Sequence, residues 1–386
     1  MRVLIAGAGI GGLTAAVACA RVGLDAVVLE RSATLAEVGA GLQIPPNAAK
    51  VLGRLGVLDA VADVAFQPEA LEARMGRSGR RLFRIPLGGA ASARWGADYY
   101  HIHRADYVRV LADAAPDVRL GDGVASFEED ANAVSVRLAS GQSLRGDVLI
   151  GADGIHSSVR QSLHGDTPAR FTGQTAWRAV VPVAELGSHA PDPTACVWIG
   201  EGRHAVTYRL RGGALANFVG VVERADWTEE GWSVEGDKAE ALSDFAGFHP
   251  VVRTLVERAG TLHRWALLDR PPLPFWTRGR VSLLGDAAHP MLPFQASGAA
   301  MAVEDAFVLA RELAAHGVDG LKSYEQLRLP RTSRVQAASA ANGELFHKRG
   351  LARQLATYGP MWAVGRLLPG GVRARQDWLY GFDATA

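Results

Sequence analysis

Val3-Leu4-Ile5-Ala6-Gly7-Ala8-Gly9-Ile10-Gly11-Gly12 opens the chain, and its reading decides the fold. The first four residues form a continuous apolar run, the pattern of a parallel strand covered on both faces. Glycines follow at 7, 9 and 12, and a small-residue stretch of helical character continues to Ala20. A second apolar run, Ala26-Val27-Val28-Leu29, ends in Glu30, 18 residues after the last glycine. This is a βαβ unit. Gly7 permits the tight turn, Gly9 lets backbone approach a pyrophosphate, and Gly12 lets helix pack on strand. The phosphates then sit on free N–H groups at the positive end of the helix dipole. Glu30 is placed to hydrogen-bond a ribose hydroxyl, and an acid there disfavours a 2′-phosphate, which leaves FAD or NAD. The stretch from Val3 to Ala20 also mimics a signal peptide or membrane span. The glycines that divide it into strand and helix favour the βαβ reading.

Working outward, Asp147-Val148-Leu149-Ile150 and Val281-Ser282-Leu283-Leu284 are again buried-type strands, ending in Asp153-Gly154 and Gly285-Asp286. A helical pattern covers 298–316, with Val303, Phe307, Ala310 and Leu313 on one face. Between these pieces, Val180 to Val183, Cys196 to Ile199, Ala205 to Tyr208 and Phe218 to Val222 read as strands of a largely antiparallel sheet. The domains are therefore interleaved. One comprises residues 1–70, 100–175 and 266–320, the other 71–99 and 176–265, and a C-terminal helical segment spans 321–386. Residues 358–382 are expected either to cap a pocket or to form a contact in a homodimer.

Apolar residues make up 48% and charged residues 21%, so a packed globular core is expected rather than disorder. The 41 basic and 40 acidic residues leave a formal charge of +1, and no basic excess points to nucleic acid or an anionic membrane. Cys19 and Cys196 stand far apart in apolar surroundings. They make neither a disulfide framework nor a metal site, and they suit a reducing, cytoplasmic setting. His101 and His103 have no evident third ligand, so no metal is expected. Trp177, Trp198 and Trp265 are expected in the core or a pocket wall.

A Gly-Asp pair after one strand is often only a capped turn. Two such pairs together with the βαβ unit instead place three strand ends where one extended cofactor could lie. At this point the sequence resembles the single-component FAD-dependent aromatic hydroxylases, the class A flavoprotein monooxygenases. The resemblance rests on the glycine fingerprint, on Gly151-Ala152-Asp153-Gly154-Ile155-His156-Ser157-Ser158-Val159-Arg160, on Gly285-Asp286-Ala287-Ala288-His289-Pro290, and on the pair His103-Arg104. It implies an α/β fold in which a Rossmann-like FAD-binding domain is interleaved with a mostly antiparallel substrate domain, followed by C-terminal helices. Asp286 then holds the ribitol, and Arg104 contacts FAD. Asp153 and Arg160 serve the pyrophosphate region and the nicotinamide donor. Arg31 joins Glu30 in the cofactor set, and His289 is local structure. The loop from Leu42 to Asn47, after Gly39-Ala40-Gly41, matches the loop along the flavin ring, and places Gln43 beside ring or substrate.

After Pro293 many members carry Gly-x-Gly-x-Asn, whereas this chain reads Ala296-Ser297-Gly298-Ala299-Ala300. That simplification is similar to the branch of 3-hydroxybenzoate 6-hydroxylases and 6-hydroxynicotinate 3-hydroxylases, while Leu292-Pro293-Phe294-Gln295 looks more like salicylate hydroxylases. The N–H groups near Gly298 and Ala299 remain able to stabilise an anionic reduced flavin. His204, Val206 and Tyr208 share one face of a strand. The resemblance makes His204, with Tyr208, the group that removes the substrate's phenolic proton, a task suited to an imidazole of pKa ~6.5. Arg84, Arg178 and Arg209 are unranked partners for a substrate carboxylate.

The implied reaction hydroxylates a small phenolic or hydroxy-heteroaromatic carboxylic acid, with FAD as cofactor, NADH or NADPH as donor, and O₂ carried as a flavin C4a-hydroperoxide. The alternative is epoxidation or tailoring of a larger natural product on the same scaffold, which would require a wider pocket.

Overall fold

The computed structural model describes residues 1–35, 41–225 and 235–386. Gly39 and Ala40 of the glycine-containing loop lie outside the described residues. The opening stretch forms strand Arg2–Ala6, and helix Ile10–Arg21 follows the glycine turn. A six-stranded sheet then runs in the order Thr277–Arg278, Val281–Leu283, Val148–Gly151, Arg2–Ala6, Asp25–Leu29, Val118–Arg119. All its pairs are parallel except the outermost one, Thr277–Arg278 with Val281–Leu283. Apart from Arg2 and Asp25 at their starts, the interior strands are buried, which explains runs of apolar residues without alternation. Their carboxyl ends at Ala6, Leu29, Gly151 and Leu283 line up along one edge.

The second sheet has seven strands, in the order His263–Asp269, Arg170–Pro182, Leu215–Glu223, Arg203–Leu210, Ala195–Gly200, Ala70–Met75, Arg81–Pro86. It is antiparallel except where Ala195–Gly200 runs parallel to Ala70–Met75. It extends beyond 176–265 at both ends because its long strand starts at Arg170 and carries a register shift between Phe171 and Thr175. Gly173, at φ 75°, occupies that irregularity and hides the strand from an alternation-based reading. The same strand stops at Pro182 rather than Val183, where a 3-10 turn over Val183–Glu185 begins.

Helix Gly298–His316 packs against helix Ile10–Arg21 and joins the parallel sheet to the C-terminal helices Gly320–Phe346 and Leu351–Leu367. Its Val303, Ala310 and Leu313 are buried, and each such valine or leucine contributes about 1.5–3 kcal/mol. The face that meets the next helix is charged, however. Glu304 and Asp305 have no exposed surface. Arg328 bonds Glu304 and Asp305 at 2.7 Å each, and Arg331 donates to both Glu304 oxygens at 2.7 and 2.8 Å. Asn47 donates to Glu304 at 2.7 Å, and His289 contacts Asp305 at 2.5 Å. Burial raises the Asp305 carboxyl, but His289 and Arg328 outweigh it and hold the group below its ordinary value. Among the described residues, no helix is long and apolar enough to cross a membrane.

Replacing Arg328 with Met should cost about 3–5 kcal/mol, because two buried carboxylates would lose their shared cation. Urea unfolding of the FAD-loaded protein would measure this, and a loss under 1 kcal/mol would contradict it.

Candidate active site

The glycine turn is shaped for a ligand's phosphates. Gly7 sits at φ 102°, and a Cβ there would lie 2.6 Å from the Ala152 carbonyl oxygen. A Cβ on Gly12 would collide with the Gly7 carbonyl, whereas at Gly9 nothing lies within 4 Å. Two glycines are therefore required by packing, and the third leaves backbone open toward solvent. Helix Ile10–Arg21 starts at Gly9 with no side-chain cap, so its first N–H groups face that opening. Glu30 accepts from the N–H groups of Ala8 and Ser32 at 2.8 Å each, which fixes the carboxylate while each oxygen keeps a second lone pair.

These residues line a trough of about 430 Å³ that also takes in Arg31, Arg104 and Asp153. Ser157 caps helix Ser158–His164, and one oxygen of Asp153 accepts the Ser158 N–H at 2.8 Å. Its other oxygen is buried without a partner among the described residues. Arg160 does not line the trough; its guanidinium turns beneath the loop to the Ile155 carbonyl at 2.7 Å.

Arg104 and His156 also line a second cavity, of about 420 Å³, so the two spaces share a border. The second cavity holds Gln43, Asp286, Pro293, Gly298, Ala299, His204 and Tyr208. Asp286 is surrounded by protein yet reached by solvent, the situation of a group facing an open trough, and burial raises its carboxyl despite His289 and Arg104. An elongated dinucleotide fits this arrangement: an orphaned Asp153 oxygen and the Gly9 opening at one end, Arg104 between, and Asp286 with the start of helix Gly298–His316 at the other.

His204 and Tyr208 share one strand face and one cavity. His204 is 1% exposed, and burial, reinforced by the neighbouring His347, holds its imidazole well below the ordinary value. It is therefore neutral near pH 7. The Tyr208 phenol is pushed up by burial, so it keeps its proton. Tyr208 is seated by Gly41, where a Cβ would collide with its ring, and the Gly41 nitrogen is pinned 2.8 Å from Asn217 Oδ1. Tyr99 donates to Gln43 Oε1 at 2.5 Å, which orients that side chain. His101 is buried, its ring 4.7 Å from that of Tyr208, and burial lowers its pKa to about 3. That is the setting of a packing partner.

A third cavity, of about 580 Å³, meets the second at Gln43, His204, Val206, Pro293, Phe294 and Ala296. Its far wall is C-terminal and includes Met361, Val364, Trp378 and Tyr380. Of the three arginine candidates, Arg178 lines the second cavity, over the Trp265 ring at 4.1 Å. Arg84 bonds Glu72 at 2.7 Å, and Arg209 donates to the Pro191 carbonyl at 2.9 Å. Ala296 is at φ 49°, a left-handed conformation that glycine adopts without cost, so the glycine absent from this motif leaves an alanine strained in its place. Sequence reading missed Asn217, Glu223 and His347, none of which belongs to a motif.

The profile of the FAD binding domain family matches residues 1–339. The 3-amino-4-hydroxybenzoate 2-monooxygenase of Streptomyces platensis is 39% identical over 389 residues, covering 100% of this chain and 96% of the relative. The 3-hydroxybenzoate 6-hydroxylase 1 of Aquipseudomonas alcaligenes is 36% identical, with 99% and 98% covered. The structure of Klebsiella pneumoniae HpxO complexed with FAD and uric acid superposes with a TM-score of 0.84 at 30% identity, covering 96% of this chain and 95% of that one.

Arg104→Ala should weaken FAD affinity roughly tenfold to a hundredfold, the worth of a charged hydrogen bond. Quenching of FAD fluorescence on titration into apoprotein reads this directly, and unchanged affinity would remove Arg104 from the cofactor site. Ala296→Gly should stabilise the protein by about 1 kcal/mol by relieving the left-handed alanine. Paired denaturation curves are the check, and equal midpoints would refute the strain.

Proposed function

The chain belongs to the FAD-binding-domain family, and from that premise we propose that it hydroxylates the ring of a small hydroxyaromatic carboxylic acid. NADH or NADPH and O₂ are the co-substrates. One observation carries the reading. A neutral histidine whose Nε2 makes no hydrogen bond among the described residues stands where the second cavity, which borders the trough, meets the largely apolar third cavity.

Bound FAD supplies the reduction and activation of O₂. Glu30, Arg104, Asp153 and Asp286, with the backbone at Gly9, Gly298 and Ala299, would hold it. The chain's own residues prepare the substrate. Nε2 of His204 accepts the ring hydroxyl's proton, and the resulting phenolate enriches the carbons ortho and para to the oxygen. Tyr208 retains its proton and donates a hydrogen bond to that oxygen, so its part is orientation. The Arg178 guanidinium, stacked on Trp265, supplies positive charge for the carboxylate. Trp265, Leu267, Met291 and Phe294 line the space and keep water from it. The relatives' names point to 3-amino-4-hydroxybenzoate and 3-hydroxybenzoate as the first acids to try. Cys19 and Cys196, both buried free thiols, suit a reducing compartment.

NADH oxidation by the FAD-loaded enzyme should accelerate with one of these acids or with 6-hydroxynicotinate or salicylate, with little peroxide formed. If none accelerates it, the small-acid substrate is wrong and the size of the third cavity favours a larger natural product. His204→Gln should lower hydroxylation about 10²- to 10⁴-fold and divert NADH oxidation to peroxide. Because the working form of His204 is neutral and its pKa is depressed, activity should stay level as pH falls to 6.5, the reference value in the absence of burial. The acid limb should appear only below it. A midpoint above 6.5 in the pH–rate profile would contradict the assignment.

A further inference from the structure

The hydrogen-bonded path that starts at the cavity does not end at His204. Its Nδ1 lies 2.7 Å from Nε2 of His347, and Nδ1 of His347 lies 3.1 Å from Oε1 of Glu223. The other Glu223 oxygen receives Arg349 at 2.6 and 3.1 Å. Exposure rises along this line. His204 is 1% exposed and His347 5%, whereas the Glu223 and Arg349 side chains are 32% and 63% exposed. The chain of groups therefore runs from a buried ring at the cavity wall to side chains in contact with bulk water.

Three separate elements build it. His204 pairs with Val221 across the antiparallel sheet, so Glu223, two residues on, is on the same face. His347 follows helix Gly320–Phe346, and the Gly202 N–H donates to its carbonyl. Phe294 and Phe346 flank the His204 ring at 5.3 and 5.2 Å. The charged groups facing His347 are Glu223, Arg349 and Arg203.

The position of every proton follows from the outer end. Burial raises the Glu223 carboxyl, but Arg349 and His347 overcome this and hold it below its ordinary value, so it is a carboxylate. A carboxylate only accepts, so Nδ1 of His347 carries the hydrogen. Burial keeps His347 neutral against the pull of Glu223, with Arg349 and Arg203 also opposing a positive charge. A neutral ring protonated at Nδ1 has a bare Nε2, which accepts the Nδ1–H of His204. That leaves the lone pair of His204 on Nε2, the nitrogen facing the cavity.

We infer that His347 and Glu223 are positioning residues of a proton relay: they hold His204 in the tautomer that can act as a base and conduct the proton it removes to solvent. The inference rests on the reading of His204 as the base. In the relay the substrate O–H bond breaks as His204 Nε2–H forms. His204 Nδ1–H is lost as His347 Nε2–H forms, and the His347 Nδ1 proton passes through Glu223 to water. One proton leaves the hydroxyl and one reaches solvent. Both imidazoles end in the opposite tautomer, and a proton returning along the same path resets them as His204 Nε2 gives its proton back to the product's phenolate oxygen.

Glu223→Gln is the sharpest probe, because an amide keeps the shape and cannot accept a proton. With 3-amino-4-hydroxybenzoate, or 3-hydroxybenzoate if that acid is the one turned over, the FAD-loaded variant should hydroxylate roughly tenfold more slowly or worse. Its solvent deuterium isotope effect should rise, and indicator-detected proton release on binding should slow equally. FAD affinity, substrate affinity and melting temperature should stay at wild-type values. His347→Gln should behave alike, and the double variant should be no slower than either single one, since one path is cut twice. Histidine ¹⁵N spectra of the wild-type holoenzyme, which need no substrate, should show both rings protonated at Nδ1. Wild-type isotope effects and proton release in Glu223→Gln, alongside a His204→Gln enzyme that has lost hydroxylation, would overturn the relay and leave the base assignment standing. Slowing accompanied by lower melting temperature and unchanged isotope effect would mark Glu223 as structural and also overturn it. Full hydroxylation by His204→Gln would remove the base, and the relay with it.

Discussion

Two adjacent buried carboxylates on one helix, Glu304 and Asp305, constrain much of the molecule. Neither can remain ionised without compensation, and Arg328 and Arg331 from the next long helix provide it. A buried ion pair is weak evidence of net stability, because desolvation offsets much of the attraction. Its consequence here is geometric. Asp305 also receives His289 and thereby fixes the turn that presents Asp286. Glu304 holds Asn47, and Arg331 donates to the carbonyls of Trp378 and Leu379, which anchors the tail that walls the third cavity. Cofactor end, substrate wall and C-terminus are thus referred to a single pair of side chains.

The two halves of the site are built by different physics. The trough is shaped by backbone: glycines that packing requires, helix starts without caps, and strand ends that converge because the sheet is parallel. Few side chains are needed, and a lengthy ligand is accommodated. The substrate side is shaped by side chains from distant segments, with His204 and Tyr208 on a strand, Gln43 on a loop, and the C-terminal helices behind. A family of enzymes can keep the first half constant and vary the second, as the 3-amino-4-hydroxybenzoate, 3-hydroxybenzoate and uric acid named for the relatives illustrate.

Neutrality runs through the substrate side. His101, His204 and His347 are all held below their ordinary pKa by burial first of all, and Tyr208 is held above its own. The histidine and tyrosine that face the cavity, His204 and Tyr208, are therefore uncharged near pH 7. At the rim stands the Glu223 carboxylate, kept ionised by Arg349 and His347 and linked to His204 through His347.

The local pattern of residues was sufficient for the βαβ unit, for the long helix at 298–316, and for the shared face of His204 and Tyr208. Each of those rests on period, turn chemistry or neighbours a few residues apart, and local sterics decide such features. The pattern was insufficient where Gly173 interrupts a strand and where Arg160, though inside a family motif, turns away from the trough. It carried no sign of Glu223, His347 or Asn217 as partners of the site, since 143 residues separate His204 from the imidazole it bonds. The amino-acid order by itself determined which elements form and what class of ligand they can hold. Tertiary structure alone decided the hydrogen-bond partner of His204, because that depends on which group a distant helix end brings within reach, and contacts of that kind leave no periodic trace in the chain.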